Sequence, residues 1–390
     1  MSEWKSTTLS DVSSDISYGY TTSAVHGGTG PKFLRITDIV TKRINWEAVP
    51  ACDADEKTFQ KYKLKNGDIV VARTGATTGY NKTIKNLSVE AVFASYLIRY
   101  EIDTALANPE YVGHILQSSS WYDYVDAIVG GSAQPGANAK QLGSFEFSLP
   151  PLPEQQAIAS ILSSLDDKID LLHRQNKTLE AMAETLFRQW FAEEAQEDWK
   201  NGSIADLVDF NPPRKLAKGS MAPYLEMAAL STTTFNPDGW YDREFSSGTK
   251  FINGDTLLAR ITPCLENGKT AFITFLEKDQ VAWGSTEYIV MRTKADLHPF
   301  FAYVLARNND FRDYAEGCME GSSGRQRVNV DHLKDYDIKL PPESVVSEFN
   351  KFSESVAPKL HSNFLQIRTL EKLRDTLLPK LMSGEVRVAA

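Results

Sequence analysis

Two matching stretches of the chain carry the side chains with the most evident chemistry. In each, Asn-Gly-Asp is followed after three residues by Ala-Arg, at Asn66–Arg73 and again at Asn253–Arg260. Loops rich in glycine, cations and amides follow the arginines, and further glycine loops lie around 130–138 and 321–329. Glycine lets a backbone approach a phosphate closely, cations neutralise phosphates, and planar or amide side chains hydrogen-bond base edges. These loops therefore predict contacts with a nucleic acid.

The predicted contacts are cationic and polar side chains from these loops and from the strand near residue 33. They are Lys32, Arg35, Arg73, Thr74, Tyr80, Asn81, Lys82, Gln134, Asn138, Arg260, Lys269, Arg325, Gln326 and Arg327. For any one of them, an ordinary charged surface loop is an equally good explanation. For the set, recurrence of donors in both stretches favours a binding role. The net charge of −9 argues against a protein that coats nucleic acid indiscriminately, but it leaves room for a local basic groove.

Catalytic and metal centres are not predicted. Asn211–Arg214 resembles the base-holding motif of adenine methyltransferases, but an arginine stands where the stacking aromatic is needed. Asn267–Thr270 resembles the end of a P-loop, but Pro263 replaces the required glycine. Six scattered histidines lack metal-site spacing, and three distant cysteines predict a reducing cytoplasm. Short apolar runs and a polar N-terminus predict neither a membrane span nor a secretion signal.

A long helix at Leu149–Phe191 is the element that must position these loops. It contains no glycine or proline between Pro153 and Trp190, and its apolar residues alternate between steps of three and four. This spacing predicts a coiled-coil seam on a helix about 55 Å long. Asn176 falls on the seam, where one polar residue often fixes the register. Such a helix needs a partner helix.

The partner is predicted at Leu340–Val388, which begins with the same Leu-Pro-Pro sequence. The predicted seam consists of the apolar residues Ile158, Ile161, Leu165, Ile169, Leu172, Leu179, Met182, Leu186, Phe349, Phe352, Val356, Leu360, Ile367, Leu370, Leu373 and Leu377. The order of motifs also repeats, so the chain is predicted to be duplicated. The segments are a mixed α/β domain at 1–148, a helix at 149–196, a second such domain at 197–339 and a second helix at 340–390.

The sequence resembles the specificity subunit of bacterial type I restriction–modification systems over essentially its whole length. The resemblance rests on LPPLPEQQAIASILSSLDDKIDLLHRQNKTLEAM and on the repeated Asn-Gly-Asp strand. The second copy, PPESVVSEF, departs from the Pro-Glu-Gln-Gln form and indicates a diverged repeat.

The resemblance implies two target recognition domains of mixed α/β (α+β) fold, joined by two long antiparallel coiled-coil helices. Each domain would read one half of a bipartite double-stranded DNA site, and the helices would set the spacer and dock two modification subunits. S-adenosylmethionine would be bound by those subunits, and ATP and Mg by restriction subunits in the full complex. The chain itself would bind no cofactor and catalyse nothing. Two alternatives are a coiled-coil adaptor that binds only proteins and a fused methyltransferase–nuclease, against which the missing methyl-donor motif counts.

Overall fold

The computed structural model describes residues 4–41, 43–129, 136–294, 296–322 and 324–388. The chain divides into a first unit, Met1–Lys168 with Leu370–Ala390, and a second unit, Ile169–Thr369. Each unit includes a globular part and a section of both long helices. Since this division cuts across the helices, the four segment boundaries expected from the sequence stay predictions.

The first unit is built from short strands and helices that precede the first long helix. The strands are β1 (Lys5–Thr8), β2 (Ser13–Tyr18), β3 (Lys32–Leu34), β4 (Ile69–Ala72), β5 (Asn81–Thr83), β6 (Ala91–Phe93), β7 (Leu97–Ile102) and β8 (Glu146–Leu149). The helices are α1 (Ile36–Ile39), α2 (Glu56–Tyr62), α3 (Pro109–Ile115), α4 (Ser119–Val129) and α5 (Ala139–Gly143). The first long helix, α6, spans Leu152–Arg188 and continues as one π-helical turn at Gln189–Glu193.

The second unit repeats this organisation. Its strands are β9 (Asn201–Ser203), β10 (Val208–Phe210), β11 (Met221–Leu225), β12 (Tyr241–Glu244), β13 (Thr249–Phe251), β14 (Thr256–Ala259), β15 (Thr270–Phe272), β16 (Ala282–Gly284), β17 (Tyr288–Thr293), β18 (Met319–Glu320), β19 (Arg327–Val328) and β20 (Asp337–Lys339). Its helices are α7 (Phe300–Arg307), α8 (Asn309–Gly317) and α9 (Val330–Lys334), and the second long helix, α10, spans Glu343–Met382.

The strand order shows that the chain is duplicated. The first unit has the antiparallel order β2-β7-β4-β5, and the second has the equivalent order β10-β17-β14-β15. Each unit also has a parallel pair, β3–β6 or β11–β16, and an antiparallel pair that joins its two ends, β1–β8 or β9–β20. The second unit extends its parallel pair with β12 and β13. The predicted mixed α/β fold and its internal repeat are therefore confirmed.

The Asn-Gly-Asp motif forms the turn that leads into β4 or β14. Gly67 and Gly254 have φ values of 94° and 82°, which favour glycine. The buried carboxylates of Asp68 and Asp255 accept hydrogen bonds from the backbone N–H three residues earlier, at Lys65 and Ile252. The motif thus fixes the start of each strand, and the arginine that recurs in both repeats, Arg73 or Arg260, follows the end of that strand.

The two long helices run antiparallel within each unit. In the first unit, Glu154 bonds to Arg387 while Asp166, further along α6, bonds to Arg374. In the second unit, the side-chain amide of Asn363 donates to Asn176 at 2.7 Å. The rings of Phe191 and Phe349 lie 5.4 Å apart in the same unit, so that later residues of α6 again meet earlier residues of α10. Asn176 thus faces the partner helix, as its predicted place on the seam requires.

The predicted seam residues differ in burial. The buried ones are Ile158, Ile169, Leu172, Phe349, Val356, Leu360 and Ile367. The half-buried ones are Ile161, Leu165, Leu179, Leu186, Phe352, Leu370 and Leu377. Two are exposed, Met182 at 48% and Leu373 at 43%, and their assignment to the buried seam is wrong.

The exposure of Met182 follows from helix geometry. Buried positions in α6 recur every 11 residues, at Ile158, Ile169 and Glu180, and Leu172 and Ala183 have the same spacing. Eleven residues in three turns is close to the period of a straight α-helix, whereas a heptad pattern drifts by about 20° per repeat. At residue 182 the position that a heptad repeat would bury has therefore turned toward solvent. Ala183 is buried instead.

In α10 the exposed Leu373 is replaced on the inner face by its neighbour. Arg374 is half-buried and donates to Asp166 of α6 at 3.0 Å within the first unit. The long arginine stem covers apolar surface while its head pairs with the carboxylate. The inner face of α10 is therefore occupied by the charged side chain of Arg374, whereas the apolar pattern predicted Leu373 at this place.

Candidate nucleic-acid interface

The predicted contact Arg73 lies at the end of β4 in the first unit and is held by the two segments beside it. Its backbone N–H donates to the Tyr96 carbonyl and its Nε–H to the Ser95 carbonyl, both at 3.0 Å. Its own carbonyl accepts from the N–H of Ala137 at 2.9 Å. The guanidinium lies 5.0 Å from the ring centroid of Tyr18, within the range of a cation–π contact. The strand ends therefore fix Arg73 at the surface.

Exposed tyrosines lie on the segments that hold Arg73. Tyr96 is 58% exposed, and Tyr18 and Tyr80 are also exposed. Tyr80 packs edge-on against Tyr122 at 6.1 Å. Tyrosine offers both a planar face and a hydroxyl, which suits contacts with bases and phosphates. Tyr18 and Tyr96 were not in the predicted set. Tyr18 is the last residue of β2 and Tyr96 directly precedes β7, so both lie at strand boundaries.

In the second unit the equivalent arginine is Arg260 at the end of β14. Its backbone N–H donates to the Glu287 carbonyl at 3.0 Å, and its carbonyl accepts from the N–H of Val328 at 2.9 Å. This matches the pattern around Arg73. A bridge between Ile261 and Arg327 joins the strand end to the β18–β19 hairpin. The predicted contacts Arg260 and Arg327 are therefore brought together.

A carboxylate that the sequence analysis missed lies between these two arginines. The Nε of Arg260 is 3.3 Å from an oxygen of Glu287, and Nη2 of Arg327 is 2.8 Å from the other oxygen. Arg325, in the same hairpin loop, is exposed, and Gln326 is half-buried. This cluster is the densest group of predicted contacts in the second unit.

One predicted contact, Asn81, points inward and is corrected. Asn81 is 6% exposed, and its amide donates to the carbonyls of Gly79 and Leu116. Lys82 is half-buried; burial lowers its pKa, and the negative charge of Asp166 on α6 acts in the opposite direction. Strand β5 packs against α3, so Asn81 serves the interior of the first unit rather than a ligand surface, and the nucleic-acid role of Lys82 stays a prediction.

Other predicted contacts have partners inside their own units. Lys32 donates to the Val49 carbonyl at 2.8 Å, and Arg35 pairs with Asp38 at 3.0 Å. Lys269 donates to the Met227 carbonyl at 2.9 Å.

Asn138 caps α5 by accepting from the Gln141 N–H at 2.9 Å. Thr74 forms a β-bridge with Gly136. Gln134 lies outside the described residues. The nucleic-acid roles of these residues stay predictions.

The start of α6 shows what the Glu-Gln-Gln sequence does. Glu154 is buried; it accepts from the indole N–H of Trp4 at 3.2 Å and from Arg387 at 2.6 and 2.9 Å. Gln155 is 1% exposed and accepts from the backbone N–H of Asn108 at 2.7 Å. Its amide donates to the Pro150 carbonyl at 2.8 Å. Gln156 is exposed. The motif thus joins the helix to its globular part.

The second unit makes an equivalent connection with a different residue. Asn350 of α10 accepts from the His298 N–H at 2.7 Å and donates to the Asp296 carbonyl at 2.9 Å. We call these bonds from Gln155 or Asn350 the amide clip. In the first unit the clip holds the turn before α3, the helix that follows β7. In the second unit it holds the turn before α7, the helix that follows β17. The orientation of each globular part on its helix is therefore fixed by hydrogen bonds to backbone.

A polar cluster further along α6 strengthens this attachment in the first unit. The Ser163 hydroxyl lies 3.0 Å from Lys85 and 3.1 Å from His114, and it donates to Glu110. Burial lowers the pKa of His114 to about 4, so the imidazole is neutral at neutral pH. The cluster is an internal network between α3 and α6.

Two kinds of site have no candidate in the described part of the chain. Within the described ranges, no group of three or more His, Cys, Asp or Glu side chains could hold a metal ion. Among the helices that the structure describes, none combines the length and the apolar character needed to cross a bilayer.

The chain is similar to known proteins in both sequence and fold. Residues 1–181 match the family model described as type I restriction modification DNA specificity domain. The chain is 27% identical over 316 residues to the type I restriction enzyme MjaIX specificity subunit of Methanocaldococcus jannaschii, covering 72% of this chain and 69% of that protein. It is 22% identical to the HindI specificity subunit of Haemophilus influenzae, covering 99% and 100%.

A similar fold has been solved by crystallography. The S subunit of a type I restriction–modification system from M. genitalium superposes with a TM-score of 0.60 at 14% identity, covering 97% of this chain and 96% of that one. At this identity the match establishes the fold.

Proposed function

We propose that this chain is a specificity subunit of a type I restriction–modification system, as its similarity to that family supports, and that each of its units reads one half of a bipartite DNA sequence. As a specificity subunit, it is a non-catalytic part of the restriction–modification complex. The cytoplasm is the proposed compartment, because the chain acts on DNA there together with the other subunits.

The observation that carries this proposal is a repeated scaffold with two different surfaces. An arginine ends the equivalent strand in both units and accepts the same backbone hydrogen bond. Arg73 is surrounded by exposed tyrosines, whereas Arg260 lies beside Arg327 and Glu287. Because base edges are read by the pattern of donors, acceptors and apolar groups, different surfaces on one scaffold suit two different half-sites.

The long helices are proposed to set the spacer between the half-sites and to dock two modification subunits. Antiparallel pairing within each unit and the amide clips support a rigid attachment of each recognition surface. In the second unit, Leu171, Met182 and Leu365 are exposed apolar residues on the long helices. Exposed apolar side chains on a helix suit a protein partner better than DNA.

Cofactors belong to the partners in this proposal. The modification subunits would carry S-adenosylmethionine, and restriction subunits in the full complex would use ATP and Mg. This chain would contribute the DNA contacts and the geometry, so that adenine methylation occurs only at the sites it selects.

The test is to map methylated adenines in cells that carry the gene for this chain and the modification subunit, and in cells that lack only this gene. We expect a bipartite motif that disappears with the gene. Arg73→Ala should weaken recognition of one half-site and Arg260→Ala the other. The proposal fails if methylation persists without the chain, or if each substitution degrades both half-sites equally in proteins of wild-type thermal stability.

A further inference from the structure

The Glu287 carboxylate occupies the centre of the arginine cluster in the second unit. Arg327 approaches it with Nε at 2.9 Å from both oxygens and with Nη2 at 2.8 Å from one. Arg260 approaches the same group with its Nε at 3.3 Å. One negative charge thus orients two arginines, and the cluster keeps a positive charge overall.

The position of Glu287 is fixed by the backbone around it. Its N–H donates to the Ser285 hydroxyl at 3.1 Å, and its carbonyl accepts from the N–H of Arg260. Its side chain is only 21% exposed. The carboxylate is therefore held in place before any ligand arrives.

The fold does not require an acid at this position. In the first unit the backbone equivalent of Glu287 is Tyr96, because the Arg73 N–H donates to Tyr96 as the Arg260 N–H donates to Glu287. The Tyr96 side chain is exposed, and Arg73 donates to a backbone carbonyl instead of a carboxylate. The carboxylate thus distinguishes the surface of the second unit from that of the first.

We propose that Glu287 is a specificity-determining residue of the second unit, which positions Arg260 and Arg327 for base edges and disfavours binding through phosphates alone. The inference rests on the proposed function and deepens it. A carboxylate beside a phosphate backbone is repelled, and this penalty applies to every DNA sequence. A sequence that satisfies the positioned arginines recovers the lost affinity, and other sequences do not.

The donor count indicates which base the cluster suits. A guanidinium has five N–H donors in a planar fork, and Glu287 engages the Nε side of Arg327. Nη1 donates to the Arg325 carbonyl at 3.4 Å, and donors remain at the outer edge. Two parallel donors at that edge match the O6 and N7 acceptors of guanine in the major groove. The half-site of the second unit is therefore inferred to contain guanine.

The experiment compares wild-type chain and Glu287→Gln, each assembled with its modification subunits. Glutamine keeps the shape and removes the charge. Methylation of a library of bipartite sites should show about tenfold weaker discrimination in one half-site only, as expected for the loss of one base contact. Binding to random-sequence duplex should strengthen, and the slope of log K against log salt should steepen by about one, because one more cation becomes available to phosphate.

Glu184→Gln is the matched control, since it removes a carboxylate that lies 3.7 Å from Arg307 in the same unit. Its motif and its salt slope should equal those of the wild type. Glu287→Tyr is a second variant, because the equivalent backbone position in the first unit already carries tyrosine, and it should relax the same half-site.

The inference is overturned if both variants leave the motif and the salt slope unchanged, or if they degrade both half-sites together. If Glu287→Gln is less stable than the wild type, the result for Glu287→Tyr tests the inference. If both variants unfold below the wild-type temperature, Glu287 is structural and the inference is rejected. Absence of any bipartite motif in the wild type contradicts the proposed function itself, and is thereby distinguished from a failure of this inference.

Discussion

Replacing Glu180 by glutamine should stabilise the second unit in a pH-dependent manner. Glu180 is a buried residue of α6 that accepts a hydrogen bond from the hydroxyl of Tyr303, which is itself buried on α7. Burial raises the pKa of Glu180 from 4.5 to about 7, against the opposing effects of the Tyr303 hydrogen bond and the Arg307 charge; the Glu184 charge adds to the rise.

The sign follows from proton linkage. Between about pH 4.5 and 7 the folded unit holds a proton that the unfolded chain has released, so stability falls as the pH rises through that window. At about 1.4 kcal/mol per pH unit, the ionised form at pH 8 costs roughly 3 kcal/mol. Glutamine cannot ionise and still accepts from Tyr303. Glu180→Gln should therefore be about 3 kcal/mol more stable than the wild type at pH 8 and nearly equal to it below pH 5.

The assay is thermal unfolding of the full chain at pH 5 and pH 8, followed by tryptophan fluorescence. Four of the seven tryptophans, Trp190, Trp199, Trp240 and Trp283, lie in the second unit. For a unit of this size, 3 kcal/mol corresponds to a rise in melting temperature of roughly 6–12 °C at pH 8. Glu348→Gln, at an exposed position of α10 in the same unit, is the control and should show no such pH dependence. An equal shift at both pH values, or destabilisation at pH 8, would refute the reasoning.

Two further predictions concern amides that the long helices bury. Gln155→Leu removes the amide clip of the first unit and leaves the Asn108 N–H unpaired, so chemical denaturation should show a loss of about 1–3 kcal/mol; the exposed Gln156→Leu is the control, and an equal loss there contradicts the assignment. Asn363→Leu leaves the side-chain amide of Asn176 without its hydrogen-bond partner and should lower the free energy of unfolding by a similar amount. Changing both Asn176 and Asn363 to leucine should restore most of the lost stability in the same denaturation assay. A double variant less stable than the single one contradicts the pairing.

The duplicated fold could be predicted because its signals are local. The Asn-Gly-Asp turn needs glycine at positive φ and an aspartate that accepts a backbone hydrogen bond three residues back, so the sequence keeps both in each repeat. The Leu-Pro-Pro sequence before a run without glycine marks the start of each long helix. Asn176 was identified by its place in the apolar pattern alone.

The composition of the arginine clusters could not be predicted, because it depends on pairing between distant strands. Tyr96 reaches Arg73, and Glu287 reaches Arg260, only through the registers of β4 with β7 and of β14 with β17. Asn81 was misassigned because its flanking glycine and tyrosine are typical of an exposed loop, whereas β5 packs it against the chain near Leu116.

The helix seam was predicted in part, because steps of three and four fit both a heptad and an 11-residue repeat over a few turns. Only over the full length of α6 do the two periods separate, at Met182.

The discontinuous makeup of the first unit has a consequence for how the protein is made on the ribosome. Its core includes Leu381 of α10 together with Ile158 and Leu162 of α6, whereas the second unit is one continuous stretch, Ile169–Thr369. The second unit can therefore fold as soon as it emerges, while the first must wait for residues synthesised after it. At about 5–20 residues per second, that wait is roughly 10–40 s. During this interval the apolar face of α6 in the first unit lacks its partner, and the nascent chain is most exposed to aggregation and proteolysis.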